Sequence, residues 1–426
     1  MTKEEVFSQL CAYRRDFHKY AESGWAEFRT TAKIAEALDG LGLKIDFGGS
    51  FIHPEDVMGR KIDAEKERAR AVLQGADPEF VKKTGDFTGL CAELDTGRPG
   101  PVVAFRFDID AVDVTEAEDE NHRPAREGFA SVNKGSMHAC GHDGHAAIGV
   151  VLAKLLVEEK ERLTGRVKLI FQPAEEGVRG GYAVMRAGLV DDADYFIAMH
   201  LGLGLPTGVV FGATRGMLCT TKFDVHIKGF GAHAGGEPEL GRNALLAAAS
   251  AALALHAIAP HSEGSTRLNV GVLNAGEGRN VIPPSAYMKV ETRGETKEIA
   301  DYMWGRAQQV LCGAVAMYGC EYSVEKMGEA PCAECTPELA RLIAEAARDT
   351  EGVTAVNDER TSGGSDDACW LINRVRERGG QATYIGVGSS NPAGHHNALF
   401  DIDEASMPIA VDVLKKAALT LAGGQK

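Results

Sequence analysis

Four strand-like runs in this chain end on acidic or imidazole side chains, and this pattern constrains the fold more than any other feature. Val102–Phe107 alternates Val103, Phe105 and Phe107 and runs into Asp108 and Asp110. Arg166–Phe171 is stopped by Pro173 and followed by Glu175, Glu176 and Gly177. Tyr195–Met199 ends on His200, and Thr383–Val387 leads to a loop carrying His395, His396 and Asn397. Helical patterns such as 144–160 and 338–348 separate these runs. Strands alternating with helices predict an α/β domain with a mixed or largely parallel sheet flanked by helices. Such sheets gather their sites at the carboxyl ends of the strands, so the four sets of side chains can meet in one crevice.

Between 216 and 328 the pattern changes. A strand at Lys222–Lys228, a helix at Arg242–Ile258, strands at Thr266–Leu273 and Ala286–Thr292, a helix at Lys297–Met317 and a strand at Glu321–Lys326 follow in turn. The order βαββαβ is that of a ferredoxin-like domain. The chain of 426 residues, too long for one typical core, then reads as a catalytic domain in two parts, 1–215 and 329–426, split by an insertion at 216–328. Helices are predicted at 3–20 and 28–41, with a stop at Gly40 and Gly42. The block 53–83, rich in Asp, Glu, Lys and Arg, reads as a solvated surface excursion.

Net charge −15 leaves no basic stripe to neutralise phosphate, which argues against nucleic acid as a partner. No apolar stretch is long enough to span a membrane, and the N-terminus lacks the apolar core of a signal peptide. Nine cysteines, an odd number without framework spacing, read as reduced thiols in a cytoplasmic protein. Cys332 and Cys335 have half of a zinc-knuckle spacing and no second half, and read as structural.

Residues 137–145, Met-His-Ala-Cys-Gly-His-Asp-Gly-His, carry His138, Cys140, His142, Asp143 and His145 just before an apolar helix. Thiolate and imidazole donors packed so closely are the material of a metal site. The candidate ligands are Cys140, His142, Glu176, His200 and one of His395 and His396, with His138 and His145 as neighbours. Such a set suits two divalent ions, which can hold an attacking hydroxide and the carbonyl oxygen it attacks. Side chains of Glu175 and Glu176 diverge in a turn, so Glu176 is expected to bind metal and Glu175 to act as general base. Asp108 is expected to orient a metal-binding histidine.

Arg106–Ala111, Met137–His145, Phe171–Gly177 and Met199-His200 resemble the amidohydrolase branch of the aminoacylase/carboxypeptidase G metallopeptidase family. That branch includes hippurate hydrolases and auxin-conjugate hydrolases. The likeness extends to Gly231–Ala234 and Arg279–Pro283 in the insertion. It implies a metal set of Cys140, His142, Glu176, His200 and His396, the last chosen for its four-residue distance to Phe400, with zinc or manganese as the ion. It implies that Glu175 is the general base and that a small N-acyl amino acid is cleaved at its amide. The first candidate is p-aminobenzoyl-glutamate, giving p-aminobenzoate and glutamate; hippurate-like and N-acetyl amino acids are the alternatives. It implies a homodimer formed through the insertion, a heteromer with a related chain being the alternative. His233 would reach the substrate carbonyl as charge develops, Arg293 would grip the substrate carboxylate, and Asn280 would add a hydrogen bond.

Two rival readings remain open at this point. A thiol amidase would use Cys140 as nucleophile with His142 or His145 as base, but leaves the glutamate pair and His200 without a task. A non-catalytic regulatory or assembly component would have no reason to retain the base Glu175.

Overall fold

The computed structural model describes residues 1–424. They form two compact units: Met1–Arg215 with Ala333–Ser362 and Asp367 onward, and Gly216–Cys332 with Gly363–Asp366. The chain thus returns to the first unit at Ala333 rather than at 329, and a four-residue segment near 365 groups with the second.

The first unit is built on an eight-stranded mixed sheet. Its centre is four parallel strands in the order Arg166–Gln172, Val102–Asp108, Tyr195–Leu201 and Gln381–Val387. Val102–Asp108 is buried along its whole length, as an inner parallel strand covered on both faces must be. Antiparallel strands Leu90–Asp95 and Lys44–Phe47 extend one side. Val209–Phe211 and Ala355–Asn357 extend the other, and at three residues each they carry too little pattern to be read from sequence.

Helix His142–Glu158 is apolar on nearly all sides because it is buried on nearly all sides, packing on the sheet and on helices Lys3–Lys19 and Ser406–Leu421. Two glycines allow that approach. A Cβ at Gly144 would meet Ile402 and Leu201 side chains at 2.7 and 2.8 Å, and one at Gly149 would meet the rings of Phe171 and Phe107 at 2.6 and 2.8 Å.

The helix predicted at 28–41 ends at Leu38, where Asp39 turns extended before the left-handed Gly40 and Gly42. The charged block 53–83 differs from the expected solvated excursion. Its helices Ala64–Leu73 and Pro78–Lys83 bury Ala71 and Val81, and their connection buries Ala76, against Phe28 and Ala32. Ile52, just ahead of it, packs with Trp25, Phe87, Ala174 and Ala183. Small residues at the inward positions hid that apolar face behind the surrounding charges.

The second unit has the element order βαββαβ, with an antiparallel four-stranded sheet ordered Glu321–Ala330, Cys219–Lys228, Ser285–Gly294 and Thr266–Ala275. Helices Ala244–His256 and Lys297–Ala316 cover one face, burying Phe223, Val225, Met288, Val290 and Leu311. Among the described residues no helix is long and apolar enough to cross a membrane.

Candidate metal centre

Parallel register sets the site. Asp108 stands opposite Gln172 at the ends of adjacent strands, and His200 stands opposite Gly386. The loops leaving these ends, together with the start of helix His142–Glu158, bring Cys140, His142, Glu175, Glu176, His200, His395 and His396 together. Ligand atoms of Cys140, His142 and Glu176 lie within 4.8 Å of one another, as do those of Cys140, His200 and His395.

The lone pairs are aimed. His142 Nδ1 donates to the Asp110 carbonyl at 2.9 Å, which leaves Nε2 buried and without a hydrogen-bond partner. His200 Nδ1 donates to the Leu201 carbonyl at 2.7 Å, which turns its Nε2 to Cys140 Sγ at 3.5 Å. Glu176 Oε1 is also buried without a hydrogen bond, 3.3 Å from His396 Nε2. A buried lone pair with no partner is costly. Converging lone pairs of thiolate, imidazole and carboxylate are the donor chemistry that divalent transition ions take.

The late histidines differ. His395 Nε2 accepts from the Leu203 N–H at 3.1 Å, so the neutral ring carries its proton on Nδ1, which faces Cys140 Sγ at 3.5 Å. That tautomer has no lone pair left for an ion. His396 has φ 64°, a conformation rare outside glycine, and reaches Cys140 and Glu176. His145 is likewise spent: Nδ1 donates to Asp108 Oδ1 at 2.5 Å and Nε2 accepts from the Leu201 N–H at 2.9 Å. His138 is buried next to His18, ring centroids 6.3 Å apart, and is not grouped with the donors.

Charge follows the same logic. Burial opposes charge on His142, yet Asp108 and Cys140 outweigh it and hold its pKa well above the usual value. Contact with Cys140, then with the Glu176 carboxylate, raises His396 to about 10. Burial and the Glu176 carboxylate push the Cys140 thiol up. The cluster gathers negative charge that calls for a cation, and a bound cation reverses the shift on the thiol.

Several supporting roles escaped the sequence reading. Asp110 accepts from Glu175 N at 3.0 Å and Glu176 N at 2.8 Å, fixing the turn that presents both carboxylates. Glu27 accepts from Ala174 N at 2.8 Å, where φ is 52°, and from the Thr88 hydroxyl at 2.6 Å. Burial, then the nearby Asp110, raises the Glu27 carboxyl to about 8. Arg106 pairs with Asp108, donates to Gln172 at 2.9 Å and to Asp367 at 3.0 Å, all of them fully buried. Asp367 Oδ2 accepts from Gly180 and Gly181 N–H groups, so this carboxylate belongs to the framework of the Glu175 loop. Arg106, Asp108 and Asp110 at period two in an apolar strand were the available signal. Arg179 donates from Nε to the Glu176 carbonyl at 2.7 Å and from a terminal nitrogen to the Gly59 carbonyl at 3.4 Å, tying the charged block to the same loop.

His233, Asn280 and Arg293 lie in the second unit. His233 is exposed, and its Nδ1 accepts from the N–H groups of Gly235 and Gly236 at 3.1 and 2.9 Å, leaving Nε2 outward. Asn280 is exposed and its carbonyl accepts from Ala234 N. Arg293 is half-buried, 3.2 Å from both Glu291 oxygens and 3.5 Å from Ser365 Oγ.

Fold and donor set together define a metal-dependent hydrolase of the peptidase type. The chain belongs to peptidase family M20/M25/M40, whose sequence model matches residues 104–420. It is 50% identical over 415 residues to a p-aminobenzoyl-glutamate hydrolase subunit of Escherichia coli strain K12, covering 96% of this chain and 95% of that protein. It is also 50% identical to indole-3-acetyl-aspartic acid hydrolase of Enterobacter agglomerans, covering 97% and 96% of the two chains. The crystal structure of an aminobenzoyl-glutamate utilization protein from Klebsiella pneumoniae superposes with a TM-score of 0.87 at 44% identity, over 99% of this chain and 98% of that one. The resemblance read from the motifs is borne out at the level of family, fold and enzyme class.

Proposed function

We propose that this protein hydrolyses the amide of an N-acyl acidic amino acid, with p-aminobenzoyl-glutamate as first substrate, at a centre for two divalent ions. The observation that carries this is the buried His142 Nε2, without a hydrogen-bond partner, converging with the Glu176 carboxylate on Cys140. Cys140, His142, Glu176, His200 and His396 would hold the ions, which when bound polarise the amide carbonyl and lower the pKa of water. Zinc and manganese both suit such ligands.

Glu175 takes the proton from the attacking water and delivers it to the leaving nitrogen. Its Oε2 stands 4.0 Å from His142 Nε2 at the edge of the donor cluster, on a turn immobilised by Asp110. Asp108, expected to orient a metal-binding histidine, bonds His145 instead, His142 being held by the Asp110 carbonyl, and through Arg106 it anchors the framework beneath. His233 Nε2 stabilises charge on the carbonyl oxygen, and Arg293 with Asn280 binds the substrate carboxylate. Arg293 must then exchange Glu291 for substrate, an exchange eased by Lys222, which holds Glu291 at 2.7 Å.

A homodimer through the second unit is part of the proposal, as is a cytoplasmic setting. Strand Thr266–Ala275 is the edge of its sheet, and Leu245, Leu246 and Leu253 are exposed on the adjacent helix. An open edge beside exposed leucines invites a second copy.

Indole-3-acetyl-aspartate is the second reading, because the two named hydrolases are equally similar to this chain. Rates on p-aminobenzoyl-glutamate, indole-3-acetyl-aspartate, hippurate and N-acetyl-alanine decide between them. We expect an acidic leaving amino acid to be favoured, with the preference lost in Arg293→Ala. A flat profile would remove Arg293 as carboxylate reader.

A further inference from the structure

We propose that Cys332 is a redox-modification site that reacts with small organic disulfides and is resolved by Cys219 into an intramolecular disulfide. Cys219 opens the strand Cys219–Lys228, and Cys332 stands two residues past the end of Glu321–Ala330. These strands are antiparallel neighbours with Thr220 opposite Ala330, so the first and last strands of the second unit bring the two cysteines together.

The contact is direct. Cys332 N donates to Cys219 Sγ at 2.8 Å, and the two thiols are hydrogen-bonded to each other. Covalent geometry then bounds the Cα separation at roughly 7 Å, the limit within which a disulfide forms without backbone movement. Neither residue is joined in a disulfide.

The pair is chemically asymmetric. Cys332 Sγ accepts from the backbone N–H of Lys297, the first residue of the 20-residue helix Lys297–Ala316. A helix N-terminus stabilises a thiolate. The hydrogen bond from Cys219 contributes most, Lys297 N–H adds to it, and together they outweigh burial and the Glu298 carboxylate, bringing Cys332 down to about 7. Cys332 is half-buried and Cys219 is buried, so an incoming reagent meets Cys332 first. Cys335 engages the backbone instead, donating to Thr214 O and accepting from Tyr384 N, both at 3.3 Å.

The chemistry balances with a small disulfide RSSR as oxidant. The Cys332 thiolate attacks one sulfur, the RS–SR bond breaks, and RS⁻ leaves and takes up a proton. Cys219 then loses its proton to water and attacks Cys332 Sγ, expelling the second RS⁻. Two protein thiols are oxidised and one RSSR is reduced to two RSH. The product joins the two places where the chain enters and leaves the second unit.

The test is peptide mapping by mass spectrometry of the full-length protein after timed exposure to oxidised glutathione. The expected result is a Cys219–Cys332 linked peptide pair that forms before any adduct at the exposed Cys312 and disappears with dithiothreitol. In Cys219→Ser, a glutathione adduct should persist on Cys332; in Cys332→Ser, Cys219 should stay unmodified. Adducts at Cys312 with Cys219 and Cys332 both reduced would overturn the proposal, as would a Cys332–Cys335 link. The wild-type map is sufficient if a variant fails to fold.

Discussion

Asp110 uses both carboxylate oxygens on the backbone of Glu175 and Glu176, and Glu27 takes the N–H before them. A turn held this way separates aiming from chemistry, and the two are testable apart. Glu175→Gln keeps the turn, so kcat should fall about 10²–10⁴-fold with an unchanged urea midpoint. Asp110→Asn puts an amide NH₂ against one of two backbone donors, so activity and stability should fall together, the latter by about 1–3 kcal/mol. The adjacent histidines separate too. His396→Ala should lose bound metal by elemental analysis, whereas His395→Ala should retain it, because the Leu203 N–H already occupies the His395 lone pair. Equal loss from both would make His395 a ligand. Cys140 and His142 were legible because they are neighbours in sequence with one chemistry. The clamps were not, since a carboxylate that serves a backbone N–H leaves no pattern of its own, and Glu27 lies 147 residues from Ala174.

Helix His142–Glu158 carries the site at its start and lies against Phe107 and Phe171 at Gly149. Gly149→Ala should cost about 1–3 kcal/mol by urea unfolding, because aromatic rings in a packed core cannot yield to a Cβ. The same helix is tied to the N-terminal helix through a buried ion cluster. Arg14 reaches Asp143 at 2.8 Å, Asp401 at 2.5 Å and Glu404 at 3.3 Å. Burial opposes the Glu404 charge, but Arg15, Arg14 and Arg123 draw its pKa from 4.5 to about 2. Between those values the unfolded chain binds more protons than the folded one, so this contribution is full above pH 4.5 and is lost as pH falls toward 2. The urea midpoint should drop across that window, and Glu404→Gln should flatten the drop. The long elements were legible because burial imposes a period on them. Strands of three residues and the alanine-lined face of 64–83 were not, because neither offers enough apolar side chain to register.

At the scale of the molecule, the first unit gathers metal-type donors at its strand ends and the second offers an open sheet edge. If the second unit pairs two copies, Leu253, 76% exposed, lies in the contact. Sedimentation should show a dimer for the wild type and a monomer for Leu253→Glu; an unchanged dimer would move the interface elsewhere. Substrate class was the least legible property, since it depends on a few side chains that related hydrolases vary within one fold. Reaction class is better founded and can be tested in one assay. Release of p-aminobenzoate from p-aminobenzoyl-glutamate is followed before chelation, after chelator stripping, and after zinc or manganese is restored. Turnover should vanish on stripping and return with the ion; full turnover in metal-free protein would contradict the assignment of Cys140, His142, Glu176, His200 and His396 as a catalytic metal centre.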